Sequence, residues 1–438
     1  MADKPYFLFN FPNGFRLVFW PLSRIRVVCS ELWIKAASWY GEPKRGIFHF
    51  LEHVLAQGSK KYPSFKELSQ KQEELGLSVS NAVGGEASYF SWLFPRENFS
   101  SVLDLLGEYI FHPLISSEGI EKERKIILQE YHDYWDSPYN RFWYTFSLKF
   151  WGENHPYTFD SLGTEEGINS INKNDLLTAH KKWYRPQNMT MAIVGDLRVR
   201  QVEKKIKEIF GKKKDTSFLP KLNLPPCDFK RKIFYYPENF EQMTLGISFP
   251  SFGYQEKEIR WQIGLSLLHY ILVSGRWSRL AIKLREKEPL AYSLWGALKF
   301  FPQKGFFDIY VSASPQNIPR IFALIKKEIE KIKKEVGKEE FQRGQKYFLY
   351  RSSMSFDSVY NIANNLISYL FREGKVFLPE DGQREIKKVR QEDLQILARE
   401  ILDFSKVTIG IMGKEKDLEE IKELLSPFFR LRENPSEC

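Results

Sequence analysis

Among the seven histidines of this 438-residue chain, two stand four positions apart, His49 and His53, with Glu52 beside the second. Residues four apart on an α-helix are separated by about 40° in projection and about one 5.4 Å turn in height, so both imidazoles reach one metal ion. The run "GIFHFLEHVLAQG" supports such a helix. Pro43 stands just ahead of it, helix formers continue through Ala56, and Gly58 takes the C′ place after the last turn. Glu52 falls on the adjoining face. A pair of helical histidines alone is often only a polar face, and a catalytic zinc takes a third protein ligand while leaving its fourth position to water.

Downstream, "EGIEKERKIILQEYHDYW" offers Glu121, Glu123 and Glu130 in a run whose apolar stripe is marked by Ile120, Ile127 and Leu128. Glu123 and Glu130 are seven apart, which puts them two turns apart on one helix face. Alone, such a run reads as a solvated charged face.

Together the two runs resemble the inverzincin metallopeptidases, the family of insulin-degrading enzyme, pitrilysin and mitochondrial processing peptidase. In that family H-x-x-E-H is followed at a set distance by a metal-binding glutamate, with a second glutamate seven before it. Here 76 residues separate His53 from Glu130, and Glu123 fills the earlier place. The resemblance implies His49, His53 and Glu130 as ligands of one Zn2+ per chain, Glu52 as general base and Glu123 as a supporting carboxylate. It implies peptide hydrolysis by a zinc-activated water, with Glu52 taking the proton and passing it to the leaving amine. The stretch "NAVGGEASYF" is similar to the family's substrate-pairing strand, which assigns Asn81 and Ala82 to peptide binding. Further matches at "SLGTEEGINSINKNDLLTAHKKWY" and "MAIVGDL" carry the likeness through the first half.

The elements that must position these residues need more than one ordinary core. Hydrophobic residues at 43% and aromatics at 16% exclude a disordered chain. No segment approaches the roughly 18 unbroken apolar residues of a membrane span, so no membrane partner is expected. The start, "MADKPYFLFNFPNGFRLVFW", reads as a β-hairpin at Asn13-Gly14 and not as an export signal, and a cytoplasmic protein is expected. Cys29, Cys227 and Cys438 stand far apart and suggest neither a disulfide framework nor a thiolate metal site, which fits a reducing compartment. The formal net charge is +10, but the lysines are mixed with acids. "LIKKEIEKIKKEVGKEEF" reads as one amphipathic helix with a solvated face, and no nucleic-acid partner is expected.

A weak repeat organises the whole. Ile168, Ile171, Asp175 and Leu176 correspond to Ile386, Val389, Asp393 and Leu394 at an offset of 218, and the same offset carries "MTMAIVG" onto "VTIGIMG". The expected fold is α+β: two tandem homologous domains, each a mostly antiparallel sheet packed with helices, as in the processing peptidases. The expected bounds are 1–215 for the metal-binding domain, 216–231 for a basic, proline-bearing linker and 232–438 for the second domain. Aligning Gly58 with Gly275 sets His49 against Ser266 and His53 against Tyr270, so the second copy has no zinc ligands. That copy carries "SGRWSRLAIKLREKEPLAYSLW", which resembles the family's substrate motif and assigns Arg285 and Tyr292 to holding substrate and stabilising charge on its carbonyl.

What the resemblance implies is a zinc endopeptidase or oligopeptidase acting on unstructured peptides in an enclosed chamber. The alternative is a non-catalytic or partner-dependent subunit of a heterodimeric processing peptidase. Full-length family members carry four such domains and this chain carries two. A homodimer with Arg285 and Tyr292 supplied in trans is therefore expected, with a heterodimer of related chains as the other arrangement.

Overall fold

The computed structural model describes residues 5–40, 44–212 and 221–429. Pro43, Cys438 and the first part of the expected linker, 216–220, lie outside the described residues. The chain divides into two compact units, and neither is continuous in sequence. The first comprises Met1–Ser137, Asn154–Pro225 and Ser353–Pro379, and the second comprises Pro138–Glu153, Pro226–Ser352 and Glu380–Cys438.

In the first unit, strands β1 (Phe7–Asn10), β2 (Arg16–Pro21), β3 (Val27–Ile34), β4 (Ser78–Val83), β5 (Ser88–Pro95) and β6 (Met189–Gly195) form one sheet in the order β1-β2-β6-β3-β5-β4. Only β2 and β6 run parallel; the other pairings are antiparallel. The Asn13-Gly14 step turns β1 back onto β2 as the sequence predicts. The Asn13 side chain accepts the Phe15 N–H at 3.2 Å within the turn. β6 is buried along its whole length, which accounts for its unbroken apolar run.

The second unit repeats this plan. Its strands are β7 (Lys232–Pro237), β8 (Met243–Phe252), β9 (Ala291–Trp295), β10 (Leu298–Phe300), β11 (Lys304–Ala313) and β12 (Thr408–Gly413). They are ordered β10-β11-β8-β12-β7, with β9 also on β11, and β7–β12 is again the parallel pair. The 218-residue offset recurs in the hydrogen bonds that start the helix before the central strand. Asp175 accepts the N–H of Asn172 at 2.8 Å, and Asp393 accepts that of Arg390 at 2.8 Å. The predicted α+β duplication is therefore present in both topology and local chemistry. The stretch predicted as a single amphipathic helix is instead two, Ile318–Lys334 and Lys338–Met354. They are parted at Val336, whose side chain goes into the core, and Gly337.

Each unit has a main core on one face of its sheet, and the other face is covered by a helix that comes from the opposite half of the sequence. Helix Val359–Glu373 buries Ile362, Leu366 and Leu370 against Cys29, Trp33 and Val194 of the first sheet. Helix Pro138–Trp151 covers the second sheet through aromatic contacts such as Phe146 on Phe234 at 5.5 Å and Trp143 on Tyr310 at 4.3 Å.

Under each covering helix sits one buried acid paired with a serine on the neighbouring strand. Ser91 donates to Glu31 across β5–β3, and Ser248 donates to Asp308 across β8–β11. Both pairs occupy the same cross-strand place at an offset of 217, with acid and serine exchanged. Burial pushes each carboxyl up to about 7, against the hydrogen bonds that favour its ionised form. For Asp308 the folded value lies above the unfolded one of about 4, so the folded chain holds an extra proton between the two. Its stabilising contribution is present below that lower value and is lost as pH rises to about 7. Asp308→Asn should therefore flatten the fall in urea midpoint of the second unit between about pH 5 and about pH 8. Equal pH slopes for the variant and the native chain would refute this.

Candidate metal centre

Helix α1 (Ile47–Leu55) is apolar on every side but one. Ile47, Phe48, Phe50, Leu51, Val54 and Leu55 are buried, leaving His49, Glu52 and His53 as a half-buried stripe at i, i+3 and i+4. The helix opens at Gly46, whose φ is +91° and whose missing Cβ would lie 2.7 Å from the Leu162 carbonyl oxygen. The "SLGTEEG" segment thus needs glycine here in order to pack on the start of α1. Ala56 closes the helix, so Gly58 stands one place beyond the C′ position predicted for it, at the sharp exit where its φ is +149°.

The second acidic run forms helix α2 (Ser117–Asp136), capped by Ser116, which accepts the Gly119 N–H at 3.0 Å. Ile120 and Ile127 share the core with α1. Arg124 fixes the register of α2. Its guanidinium donates to the carbonyls of Ile168 and Ile171, the latter at 2.7 Å, and lies 5.2 Å over the Phe50 ring of α1.

That register turns Glu123 and Glu130 toward the histidines. Glu130 Oε2 lies 3.7 Å from His49 Nε2 and 3.5 Å from His53 Nε2. A tetrahedral ion with bonds of about 2.05 Å sets its donors about 3.3 Å apart, and the two sides of the His49–Glu130–His53 donor triangle that meet at Glu130 come close to this. The donor set of two imidazoles and one carboxylate suits zinc. Among the described residues, His49, Glu52 and His53 also offer ligand atoms within 4.8 Å of one another. Glu123 stands behind His53, with its Oε2 2.9 Å from Nδ1. From that side it can hold a proton on Nδ1, which leaves the Nε2 lone pair free.

The electrostatics agree. Burial and the neighbouring His53 push His49 down to about 4, so its ring is neutral and able to donate a lone pair at neutral pH. Burial works to lower His53 as well, but the hydrogen bond its ring donates to Glu123 and the charges of Glu52 and Glu130 outweigh it and raise the ring. Glu52 is raised, first by burial and then by Glu130 and Glu123, with His53 opposing. A carboxylate so raised is a better proton acceptor than a solvated one.

Asn81 and Ala82 lie on β4, the edge strand that among the described residues pairs only with β5 and that shares a core with α1. Asn81 Nδ2 donates to Tyr109 Oη at 3.1 Å and its Oδ1 accepts from Trp92 Nε1 at 3.3 Å, which turns the side chain inward. What β4 offers a ligand is its backbone edge. In the second unit, Arg285 lies in the helical turn Ile282–Lys287 and Tyr292 on β9. Arg285 is exposed and Tyr292 is 75% exposed, and neither side chain has a hydrogen bond or ion pair among the described residues. At the places aligned with the histidines, Ser266 Oγ donates within its own helix to Gln262 and Tyr270 stacks on Tyr347 at 4.5 Å. One contributor escaped the sequence reading: Gln57 Nε2 donates to Glu123 Oε1 at 2.5 Å. Its signal was the continuation of the four-residue row 49, 53, 57, which runs from α1 into the turn that follows it.

With this fold and donor set in hand, comparison with known proteins is informative. The sequence pattern described as Insulinase (Peptidase family M16) matches residues 23–149, and that described as Peptidase M16 inactive domain matches residues 170–348. An "Uncharacterized zinc protease" of Rickettsia bellii is 25% identical over 92% of this chain and 96% of its own length. The Bacillus subtilis "Uncharacterized zinc protease YmxG" is 23% identical over 92% and 97%. Crystal structures of a protease from Helicobacter pylori and of a putative M16-like peptidase from Alicyclobacillus acidocaldarius share the fold, with TM-scores of 0.82 and 0.83 at 19% identity. They cover 93% and 94% of this chain and 99% and 100% of their own. Fold and pattern thus define a chain with two domains of the M16 peptidase type. The chain belongs to peptidase family M16, the insulinase family.

Since the described residues of the second unit offer no equivalent donor set, the chain should take up one divalent transition-metal ion, and His49→Ala should abolish that uptake. Elemental analysis after dialysis checks both; two ions per native chain would contradict the assignment.

Proposed function

We propose that this chain is a zinc-dependent peptidase in which His49, His53 and Glu130 hold the metal and Glu52 is the general base. The observation that carries the reading is the donor triangle of Glu130 Oε2 with the two Nε2 atoms, with Glu52 on the same stripe of α1. Zinc bound there supplies Lewis acidity, polarising a carbonyl and bringing the pKa of water towards about 7. Glu52 accepts the proton of the attacking water on a carboxylate oxygen and delivers it to the leaving nitrogen, so that the amine departs neutral. Glu123 keeps the His53 ring in one orientation throughout. The free edge of β4 supports extended peptides as substrates, because backbone pairing gives affinity with little demand on sequence and needs an unfolded segment. Named relatives with the label zinc protease agree with this reading.

Arg285 and Tyr292, exposed and unpartnered, favour a further element: two copies of the chain working as a dimer, each lending this pair to the substrate bound at the other's metal. A cation and a phenol are suited to stabilising charge on a carbonyl oxygen.

Glu52→Gln should retain zinc and peptide binding while turnover of a quenched peptide falls by about two or more orders of magnitude. Near-native turnover would remove Glu52 from the mechanism. For the dimer, the Glu52→Gln chain is mixed with a chain carrying Arg285→Ala and Tyr292→Phe, each nearly inactive alone. Activity should return as subunits exchange. If exchange is demonstrated by labelled subunits and no activity returns, completion in trans is wrong.

A further inference from the structure

We propose that Gln57 and Lys122 are positioning residues for the metal ligand His53, forming a relay that begins at the surface and ends on its ring. The proposal rests on the metal reading above. Four side chains are joined in line. Lys122 Nζ donates to Gln57 Oε1 at 3.1 Å, Gln57 Nε2 donates to Glu123 Oε1 at 2.5 Å, and Glu123 Oε2 holds His53 Nδ1 at 2.9 Å.

Each link has a physical reason. Glu123 is buried, and a buried carboxylate is costly unless its oxygens have donors. One oxygen takes His53 and the other takes Gln57, so the two partners together hold the carboxylate plane in a single orientation. An amide can satisfy Glu123 only with its nitrogen inward. Lys122 enforces that orientation, because an ammonium donates and so requires the amide oxygen to face it. Among the described residues Lys122 has no carboxylate within ion-pair distance, and its ammonium is steadied 5.1 Å over the Phe65 ring. Gln57 lies one turn beyond His53 on the line of α1, and Lys122 adjoins Glu123 on α2. The relay therefore also ties the two ligand-bearing helices together at the point where their crossing sets the donor triangle.

Removal of an outer partner of a ligating histidine lowers metal affinity by about 10- to 100-fold. The experiment measures zinc affinity of the full chain by competition with a chromophoric chelator. Gln57→Met, which keeps the bulk and removes the donor, should bind zinc about tenfold more weakly than the native chain. Lys122→Met should show a smaller loss while the melting midpoint of the metal-free chain stays where it was. The double variant should bind no more weakly than Gln57→Met alone, because residues acting in series are not additive. Native affinity in Gln57→Met, or additive losses in the double variant, would overturn the relay. Should Gln57→Met fail to fold, the exposed Lys122→Met decides, and unchanged affinity there counts against it. A native chain that takes no zinc overturns the metal reading itself, a result distinct from either.

Discussion

Six side chains of α1 go into the core of the first unit, and once they are buried the helix has no freedom to rotate. At about 1.5–3 kcal/mol for each large apolar side chain, this burial is worth on the order of 10 kcal/mol. The stripe of His49, Glu52 and His53 is what the core leaves over, and its direction is set by the six buried side chains. The same logic governs α2. Ile120 and Ile127 fix which side faces inward, and Arg124, tied to the Ile168 and Ile171 carbonyls, fixes how far along its axis the helix stands.

The duplicated frame shows how little of it chemistry requires. Both units keep the parallel pair at one side of the sheet, the helix that opens on an aspartate accepting a backbone N–H, and a buried acid–serine pair under the covering helix. In the second unit the stripe carries Ser266 and Tyr270, and packing is retained while the donor set is gone. Packing and the donor set are therefore carried by different faces of the helix, which leaves one free to diverge without the other.

Electrostatically the site is arranged around a positive charge. Glu52, Glu123 and Glu130 converge on His53, and their mutual repulsion together with burial raises Glu52. A cation in the donor triangle would relieve that repulsion, and burial amplifies the effect by lowering the local dielectric. The surface lysine joined through Gln57 contributes at longer range and acts chiefly by orienting an amide.

The sequence by itself determined the chemistry that is local or strictly periodic. Spacing of four between His49 and His53, and of seven between Glu123 and Glu130, fixes each pair on one face of its own helix, because helix geometry has a single period. The Asn13-Gly14 hairpin and the 218-residue repeat were legible for the same reason: turn chemistry and repeated apolar patterns act within short stretches. Tertiary structure alone decided which faces meet. Sequence spacing does not say that Glu123 approaches His53 from behind while Glu130 faces both Nε2 atoms, since that depends on how α1 crosses α2. Nor does it show that Asn81 turns inward to Tyr109 and Trp92, or that the helices covering each sheet come from the opposite half of the chain. The break at Val336-Gly337 was hidden in an amphipathic pattern that runs through it, because burial of Val336 is decided by a core assembled from distant segments. Gln57 was invisible for a related reason: its role exists only when the carboxylate it meets, 66 positions away, is brought beside it.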